Sequence, residues 1–176
     1  MNTICSFPPI ARRDATRLIL GTMPGIASLA AQQYYAHPRN AFWPIMEIAL
    51  GVPLRLSYEE RCLQLMERGL AVWDVLESCV RGGSLDSAIE PQSIVPYDFN
   101  AFFAHHTAIE LICFNGTKAA ELWRRHVVPT LPEATRKIRT VRLPSTSPAH
   151  AGMPLAEKAA RWRETLLLPR LSVPGT

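Results

Sequence analysis

The sequence predicts a three-layer α/β fold, in which a central, mainly parallel four-stranded sheet lies between two layers of helices. Short apolar runs that suit buried strands alternate along the chain with segments whose apolar residues recur at helical spacing. Such alternation is typical of βαβ units, whose strands are parallel. The chain has 176 residues, of which 48% are hydrophobic, so it can bury the core that this fold needs.

The first predicted strand is TRLILG, residues 16–21, an apolar run closed by Gly. A connection of about eighteen residues follows, whereas a strand-to-helix loop usually takes 2–6. The segment AFWPIMEIALG then has apolar residues at helical spacing and predicts a helix that ends at Gly51. Ser57 and Glu60 have the spacing of a capping box, which predicts a second helix that stops at Gly69.

The middle of the chain begins with LAVWDVL from Leu70, a second strand candidate. Residues 78–96 contain a Gly pair and two prolines and are expected to be irregular. The segment DFNAFFAHH predicts a short helix capped by Asp98. Residues 108–115, AIELICFN, form the clearest buried strand of the sequence, and a helix is expected directly after Gly116.

The last part of the chain supplies a fourth strand, IRTVRLP, and then a loop, STSPAHAGMP. A final helix is expected from Pro154 to about Leu168, because Pro suits a first helical turn and apolar residues share one face. We expect a single domain over residues 1–176, with a loosely ordered tail from about residue 169.

Composition and charge limit the classes of function. Charged residues make up 19% of the chain, and the formal net charge of +4 permits a nucleic-acid partner without establishing one. No apolar run approaches the length of a membrane span, and MNTICSFPPIARRD lacks the pattern of a secretory signal, so we expect a cytoplasmic protein. The four cysteines are far apart and predict buried, reduced thiols rather than a zinc or iron–sulfur site: Cys5, Cys62, Cys79 and Cys113.

Three polar loops leave the carboxyl ends of the predicted strands. They are residues 21–40, the turn Phe114-Asn115-Gly116, and residues 145–153. Ligands of open α/β sheets bind at the carboxyl ends of parallel strands, and these ends meet at one edge. We therefore expect the three loops to form one site.

The first of these loops contains GTMPG and QYYAHPRNAFW. GTMPG resembles a phosphate loop only weakly, and a tight turn is the simpler interpretation. Tyr34 and Tyr35 could stack on a planar ligand or pack as a hydrophobic lid. Asn40 precedes a helical pattern, so on these residues alone an N-cap explains it, and His37 is explained as a structural hydrogen-bonding group.

Taken together, GTMPG, QYYAHPRNAFW, FNGTKAAELW and LPSTSPAHAG closely resemble the hypoxanthine-DNA glycosylase family, a branch of the uracil-DNA glycosylase superfamily. The likeness extends from about Ser6 to Leu166. It implies a uracil-DNA glycosylase-like fold and an enzyme of DNA base excision repair. Such an enzyme flips a deaminated base out of DNA, here hypoxanthine in deoxyinosine, and hydrolyses its N-glycosidic bond to leave an abasic site.

The resemblance also implies the chemistry of the site. It implies no cofactor and no metal, a monomer, and a double-stranded DNA partner, with single strands left open. Uracil-DNA glycosylases usually have Asp or Asn where Met23 stands, and Met cannot orient water. In the hypoxanthine branch the catalytic residue is the Asn of HPRN, which is Asn40 here. An amide suffices if bond breaking runs ahead of water attack, because catalysis then rests on positioning and electrostatics.

The resemblance implies two further groups of residues. The expected base pocket comprises Gly21, Thr22, Met23, Pro24, Gly25, Tyr34, Tyr35, His37, Phe114 and Asn115. The expected DNA-binding set comprises Ser145, Thr146, Ser147, Pro148, Ala149, His150, Met153, Arg139 and Arg142. Within the second set, Ala149, His150 and Met153 are candidates for the wedge that fills the place of the flipped nucleotide. Without the family match, Ser-Thr-Ser-Pro would be interpreted as an ordinary polar turn.

Two other functions stay open at this point. One is a uracil or thymine mismatch-specific DNA glycosylase, against which the missing acid at Met23 counts. The other is a non-catalytic module that binds damaged DNA, which could keep the fold and the basic loop.

Overall fold

A computed structural model describes residues 3–169 of the chain. The described residues form seven strands: β1 (Thr3–Cys5), β2 (Arg17–Gly21), β3 (Leu70–Asp74), β4 (Leu76–Val80), β5 (Val95–Pro96), β6 (Leu111–Asn115) and β7 (Arg139–Leu143). Seven α-helices also lie in this part of the chain: α1 (Ile26–Ala31), α2 (Phe42–Leu50), α3 (Tyr58–Glu67), α4 (Phe99–His105), α5 (Thr117–Leu122), α6 (Glu133–Arg136) and α7 (Leu155–Leu166).

The central sheet has four parallel strands in the order β3-β2-β6-β7, with helices on both sides. The predicted three-layer fold is therefore confirmed. Every residue of β2 and β3 is buried, as expected of parallel strands that helices cover on both faces. The register pairs Gly21 with Asp74 and Asn115 with Leu143, which brings the strand ends to one edge of the sheet.

The predicted helix boundaries agree with the structure wherever a cap marks them. Gly51 ends α2 with φ of 68°, a conformation that favours Gly. Ser57 Oγ accepts a hydrogen bond from the Glu60 N–H at 3.2 Å, and a Glu60 carboxylate oxygen accepts one from the Ser57 N–H at 2.8 Å, which confirms the capping box. Asp98 caps α4 through the Ala101 N–H. Pro154 precedes α7 as its N-cap instead of lying in its first turn.

Two predictions about irregular segments were wrong. Residues 78–96 were expected to be irregular, but β4 and β5 lie there and join β1 in a second, antiparallel sheet of order β1-β4-β5. These strands have two to five residues, too few to show a clear alternation of apolar and polar side chains. The long connection after β2 also contains a helix, α1, although no side chain caps its first turn.

Other expectations concern the tail and the thiols. The tail expected to be loosely ordered falls on residues 170–176, which lie outside the described residues. Cys62, Cys79 and Cys113 are buried and free, as predicted, whereas Cys5 is exposed because it lies on the edge strand β1. Among residues 3–169, no helix combines the length and the apolar character that a membrane crossing requires.

Candidate active site

The carboxyl end of β2 packs against a buried carboxylate. A Cβ atom on Gly21 would lie 2.5 Å from Asp74 Oδ1 and 3.0 Å from the Tyr35 hydroxyl, so only Gly fits at this position. Ser6 donates a hydrogen bond to Asp74 Oδ2 at 2.6 Å. Burial raises the pKa of the Asp74 carboxyl to about 7, although the Ser6 hydrogen bond opposes the shift. The floor of the candidate site therefore contains an acid that titrates near neutral pH.

Tyr35 is held in an unusual conformation above this floor. Its φ of 58° is left-handed, which is uncommon for a residue other than Gly. The ring stacks on Phe42 with centroids 4.0 Å apart, and the hydroxyl is buried without a hydrogen-bond partner among the described residues. Burial, followed by the charge of Asp74, raises the pKa of the phenol. Tyr35 is therefore neutral at ordinary pH, with a hydroxyl that is free to donate.

The GTMPG turn is fixed from behind by the main chain and by a buried cation. Backbone N–H groups of Val75 and Leu76 donate to the carbonyls of Gly21 and Thr22 at 2.9 and 3.2 Å. Arg81, which is 5% exposed, donates to the Pro24 carbonyl. The side chains of the turn face inwards: Thr22, Met23 and Pro24 are buried, and Gly25 is half-buried. Met23 belongs to the hydrophobic core and offers no polar group.

Asn40 is partly exposed at the start of α2. Its side-chain carbonyl accepts a hydrogen bond from the Phe42 N–H at 3.0 Å, and its backbone N–H donates to the His37 carbonyl at 2.8 Å. The N-cap of α2 is Ala41, which has no side-chain cap hydrogen bond, so Asn40 closes a turn directly before the helix. This hydrogen bond fixes the orientation of the amide. A carbonyl oxygen has two acceptor sites, so one remains for water. The catalytic role of Asn40 stays a prediction.

His37 lies in the same turn and is exposed. Its Nδ1 accepts a hydrogen bond from the Arg39 N–H at 3.1 Å, so Nδ1 carries no proton and Nε2 is the donor. His37 can therefore offer a hydrogen-bond donor to a ligand.

Two residues of the expected base pocket lie in the core. Tyr34 is 3% exposed, and its hydroxyl donates to the Phe7 carbonyl at 3.0 Å. Phe114 is 4% exposed and packs against Trp123, with ring centroids 5.8 Å apart. The structure places neither ring on an open face, because hydrophobic packing occupies both. Contact of either ring with a base stays a prediction.

Thr146 connects the three loops that were expected to form one site. The Asn115 amide donates to Thr146 Oγ1 at 2.9 Å, and its oxygen accepts from the Thr146 N–H at 2.9 Å. The Thr146 carbonyl accepts from the Ala41 N–H, next to Asn40, at 2.9 Å. Thr146 is only 1% exposed, so its role in this structure is to join the loops, and direct DNA binding by it is not supported.

The loop after β7 presents a short helical turn, Pro148–His150, to solvent. Ser147 Oγ caps this turn by accepting from the Ala149 N–H at 3.3 Å, and Ala149 and His150 are exposed. Ser145 Oγ in turn accepts from the Ser147 N–H at 3.2 Å. The hydroxyl groups therefore shape the loop, and its exposed tip carries two of the three wedge candidates.

A buried lysine supports this loop. Lys158 of α7 is 4% exposed, and its ammonium donates to the carbonyls of Ser145 at 2.8 Å and His150 at 2.6 Å. Gly116, with φ of 98°, also approaches Ser145, so closely that a Cβ would lie 2.9 Å from the Ser145 Cβ. Contacts at Ser145 and at His150 therefore fix the loop at two positions.

A cavity of about 530 Å³ lies behind the loop, and its lining includes Arg142, Ser145, His150, Met153 and Lys158. Arg139 does not line it. The two arginines are three residues apart on β7, so they are separated by about 10 Å and point to opposite faces. The structure therefore separates the two predicted phosphate contacts and leaves Arg142 beside the loop.

Several polar residues of the site were missed from the sequence. Asp74 ends a strand beside Gly21, and an acid at the carboxyl end of a parallel strand was an available signal. Lys158 lies four residues before the buried Trp162, a spacing that indicates the same helix face. Within the described part of the chain, no group of three or more His, Cys, Asp or Glu side chains is arranged to hold a metal ion.

Comparison with known proteins agrees with this geometry. No protein-family model matches the chain. A hypoxanthine DNA glycosylase from Methanosarcina acetivorans is 37% identical over 116 residues, which are 65% of this chain and 72% of the relative. Another, from Methanosarcina barkeri, is 33% identical over 116 residues, with the same shares of both chains.

A solved structure is also similar over almost the whole chain. It is a solution NMR structure of a Methanosarcina acetivorans protein that was provisionally assigned as a uracil DNA glycosylase. The TM-score is 0.74 and the identity 32%, over 93% of this chain and 98% of the other. The chain therefore belongs to the hypoxanthine DNA glycosylase family of the uracil-DNA glycosylase superfamily.

Proposed function

We propose that the protein is a DNA glycosylase that removes deaminated bases, with hypoxanthine in deoxyinosine as its principal substrate. The observation that carries this proposal is the junction at Thr146, which holds the Asn40 loop, the end of β6 and the loop after β7 together. This junction brings a polar amide and the exposed loop after β7 to one edge of the sheet, in a chain whose relatives bear the name hypoxanthine DNA glycosylase.

In the proposed reaction a deoxyinosine is flipped out of the duplex and its base enters the site. The C1′–N9 bond breaks, and its electron pair leaves with the purine. A water molecule adds to C1′, and the proton that it loses passes to the surroundings, so the products are free hypoxanthine and an abasic site. The Asn40 carbonyl accepts a hydrogen bond from this water and aims it at C1′, because the Phe42 N–H fixes the amide.

The loop after β7 is the proposed DNA contact. Ala149 and His150 at its exposed tip would enter the space that the flipped nucleotide leaves in the duplex. Met153 lines the protein cavity of about 530 Å³ behind this loop, as His150 does. Arg142 would attract the phosphates that flank the lesion. A monomeric state and a cytoplasmic location are proposed with this function from the sequence alone.

Excision assays on matched oligonucleotides test the proposal. Duplexes and single strands that carry inosine, xanthosine or uracil at one position are incubated with the enzyme and then treated with alkali, which cuts the strand at an abasic site. We expect the fastest cleavage with inosine. Uracil is the second candidate, because the structurally similar protein was provisionally assigned as a uracil DNA glycosylase. Tight binding to damaged duplex without any cleavage would indicate a non-catalytic module.

The proposed catalytic role of Asn40 can be separated from its structural role in the turn before α2. Asn40→Ala is expected to lower single-turnover excision of inosine by about 100-fold or more, the size of effect seen when a positioned polar group is lost from an active site. Loss of the hydrogen bond from the Phe42 N–H alone costs about 1 kcal/mol of stability. Ser57→Ala is the matched control, because it removes an exposed cap of α3 and no predicted site residue. If both variants retain the wild-type rate, Asn40 has only a structural role.

A further inference from the structure

A cavity of about 630 Å³ lies at the end of the central sheet opposite the candidate active site. Its lining includes Arg17 and Leu70, the first residues of β2 and β3, whereas the loops of the candidate active site leave the carboxyl ends of the strands. Arg17 and Gly21 begin and end β2, so they are about 13 Å apart. This cavity is therefore separate from the candidate active site.

The cavity is lined by a buried cation, Arg17, which is 9% exposed. Its two terminal nitrogens donate to neutral acceptors, the Thr16 hydroxyl at 3.4 Å and the Leu168 carbonyl. Its Nε is buried without a hydrogen-bond partner among the described residues. A guanidinium keeps its charge and has five N–H donors, so these contacts leave part of its capacity unused. A buried charge usually has an opposite charge beside it.

The chain provides no carboxylate side chain as a partner for Arg17. Arg17 takes part in none of the ion pairs formed within residues 3–169. The rest of the sequence, residues 1–2 and 170–176, contains no Asp or Glu. Glu47 lines the cavity, but one of its carboxylate oxygens accepts a hydrogen bond from a backbone N–H at 2.9 Å, and it forms no ion pair with Arg17. The positive charge of Arg17 is therefore available to an anion from outside the chain.

Two further arginines and an apolar wall belong to the same cavity. Arg68 and Arg163 line it and are exposed, so the lining has a net positive charge in spite of Glu47. The wall includes Ile48 and Leu167, whose exposed fractions are 53% and 55%. The cavity thus combines several cations with apolar side chains that remain in contact with water.

We propose that this cavity binds a small organic anion with a carboxylate or phosphate-ester head and an apolar body. The head contacts Arg17, since guanidinium groups bind both kinds of anion through paired N–H donors. The body covers Ile48 and Leu167 and removes their apolar surface from water. A volume of about 630 Å³ suits such a molecule, because ligand pockets in proteins have about 300–1,000 Å³. The site goes beyond the proposed function and does not depend on it.

Isothermal titration calorimetry of the whole 176-residue chain with four probes tests the inference. Octanoate and octyl phosphate have both an anionic head and an apolar body, whereas octanol lacks the charge and inorganic phosphate lacks the apolar body. We expect at least one of the two amphipathic anions to bind once per chain, about tenfold or more tighter than octanol and inorganic phosphate. Failure of both amphipathic anions to bind, or equally tight binding of octanol or inorganic phosphate, would overturn the inference.

Variants of the arginines locate the bound anion. Arg17→Met should weaken binding of the tighter amphipathic anion by about tenfold or more, because a hydrogen bond to a charged group is lost. Arg163→Met should weaken it in the same direction, and this exposed position decides the test if Arg17→Met does not fold. Arg55→Met is the matched control, since Arg55 is exposed and does not line the cavity, and its affinity should equal that of wild type. Wild-type affinity in every folded variant of Arg17 and Arg163 would refute the site.

Discussion

Replacing Asp74 by Asn should change how the stability of the protein depends on pH. Asp74 is buried beneath Gly21, and burial raises its pKa from an ordinary value near 3.8 to about 7. The folded protein therefore holds a proton on Asp74 between about pH 4 and pH 7, whereas the unfolded chain does not. In this range the stability contributed by the protonated carboxyl falls as pH rises, since unfolding releases the proton. Asn cannot titrate and lacks this dependence.

The magnitude follows from the two pKa values. Each pH unit between them changes the free energy of unfolding by 1.36 kcal/mol, so the whole range corresponds to about 4 kcal/mol. Between pH 5 and pH 8, titration of Asp74 should change the free energy of unfolding by about 3 kcal/mol. For a protein of this size 1 kcal/mol shifts the melting temperature by about 2–4 °C, so the expected difference is about 6–12 °C.

Thermal unfolding of wild type and Asp74→Asn at pH 5 and pH 8 measures this difference. The melting temperature of Asp74→Asn minus that of wild type should be higher at pH 8 than at pH 5, by about 6–12 °C. An Asn side chain can still accept the Ser6 hydrogen bond through its oxygen, so the comparison isolates the charge. Asp14→Asn is the exposed control and should show no such change. Parallel curves for wild type and Asp74→Asn would refute an Asp74 pKa near 7.

Three other predictions concern the loop after β7 and the chemistry. Lys158→Met should weaken binding to inosine duplex by about tenfold in fluorescence anisotropy, because two loop carbonyls lose their donor; an equal loss on single strands would contradict a role in holding the duplex open. Arg142→Ala should weaken binding to every sequence and reduce the salt slope by about 1. Dialysis against a chelator should leave excision unchanged, and a loss that zinc or magnesium restores would contradict the proposed mechanism.

Much of the fold could be predicted because its signals are local. The run Leu18-Ile19-Leu20 of β2 is apolar because both faces of this central strand are covered. The spacing of Ser57 and Glu60 marks a helix start by itself. The antiparallel sheet gave no such signal. Its strands are short, and Thr3–Cys5 forms a strand only because Leu76–Val80, far along the chain, pairs with it.

The site was predictable as a region and less so as a set of side chains. Strand order places the three loops at one edge, but it does not say which polar atoms satisfy one another there. Thr146 looked like a DNA contact and is instead buried in the junction with Asn115. Lys158 received no prediction from the sequence, and it is buried beneath the loop after β7. Their roles depend on contacts between segments that the sequence alone does not pair.

The central position of β2 has a consequence for how the protein reaches its folded state. Strand β2 is made early in synthesis, yet its two neighbours are β3 and β6, and β7 can add only to β6. Each pairing closes a long loop of chain before it gains contacts, which slows folding relative to a helical protein of equal length. The loop after β7 also contacts Gly116, which follows β6, and Lys158 of α7. Because β7 is the last strand of this sheet to be synthesised, a chain that has stalled before β7 joins β6 can hold most of its core and still lack the candidate site.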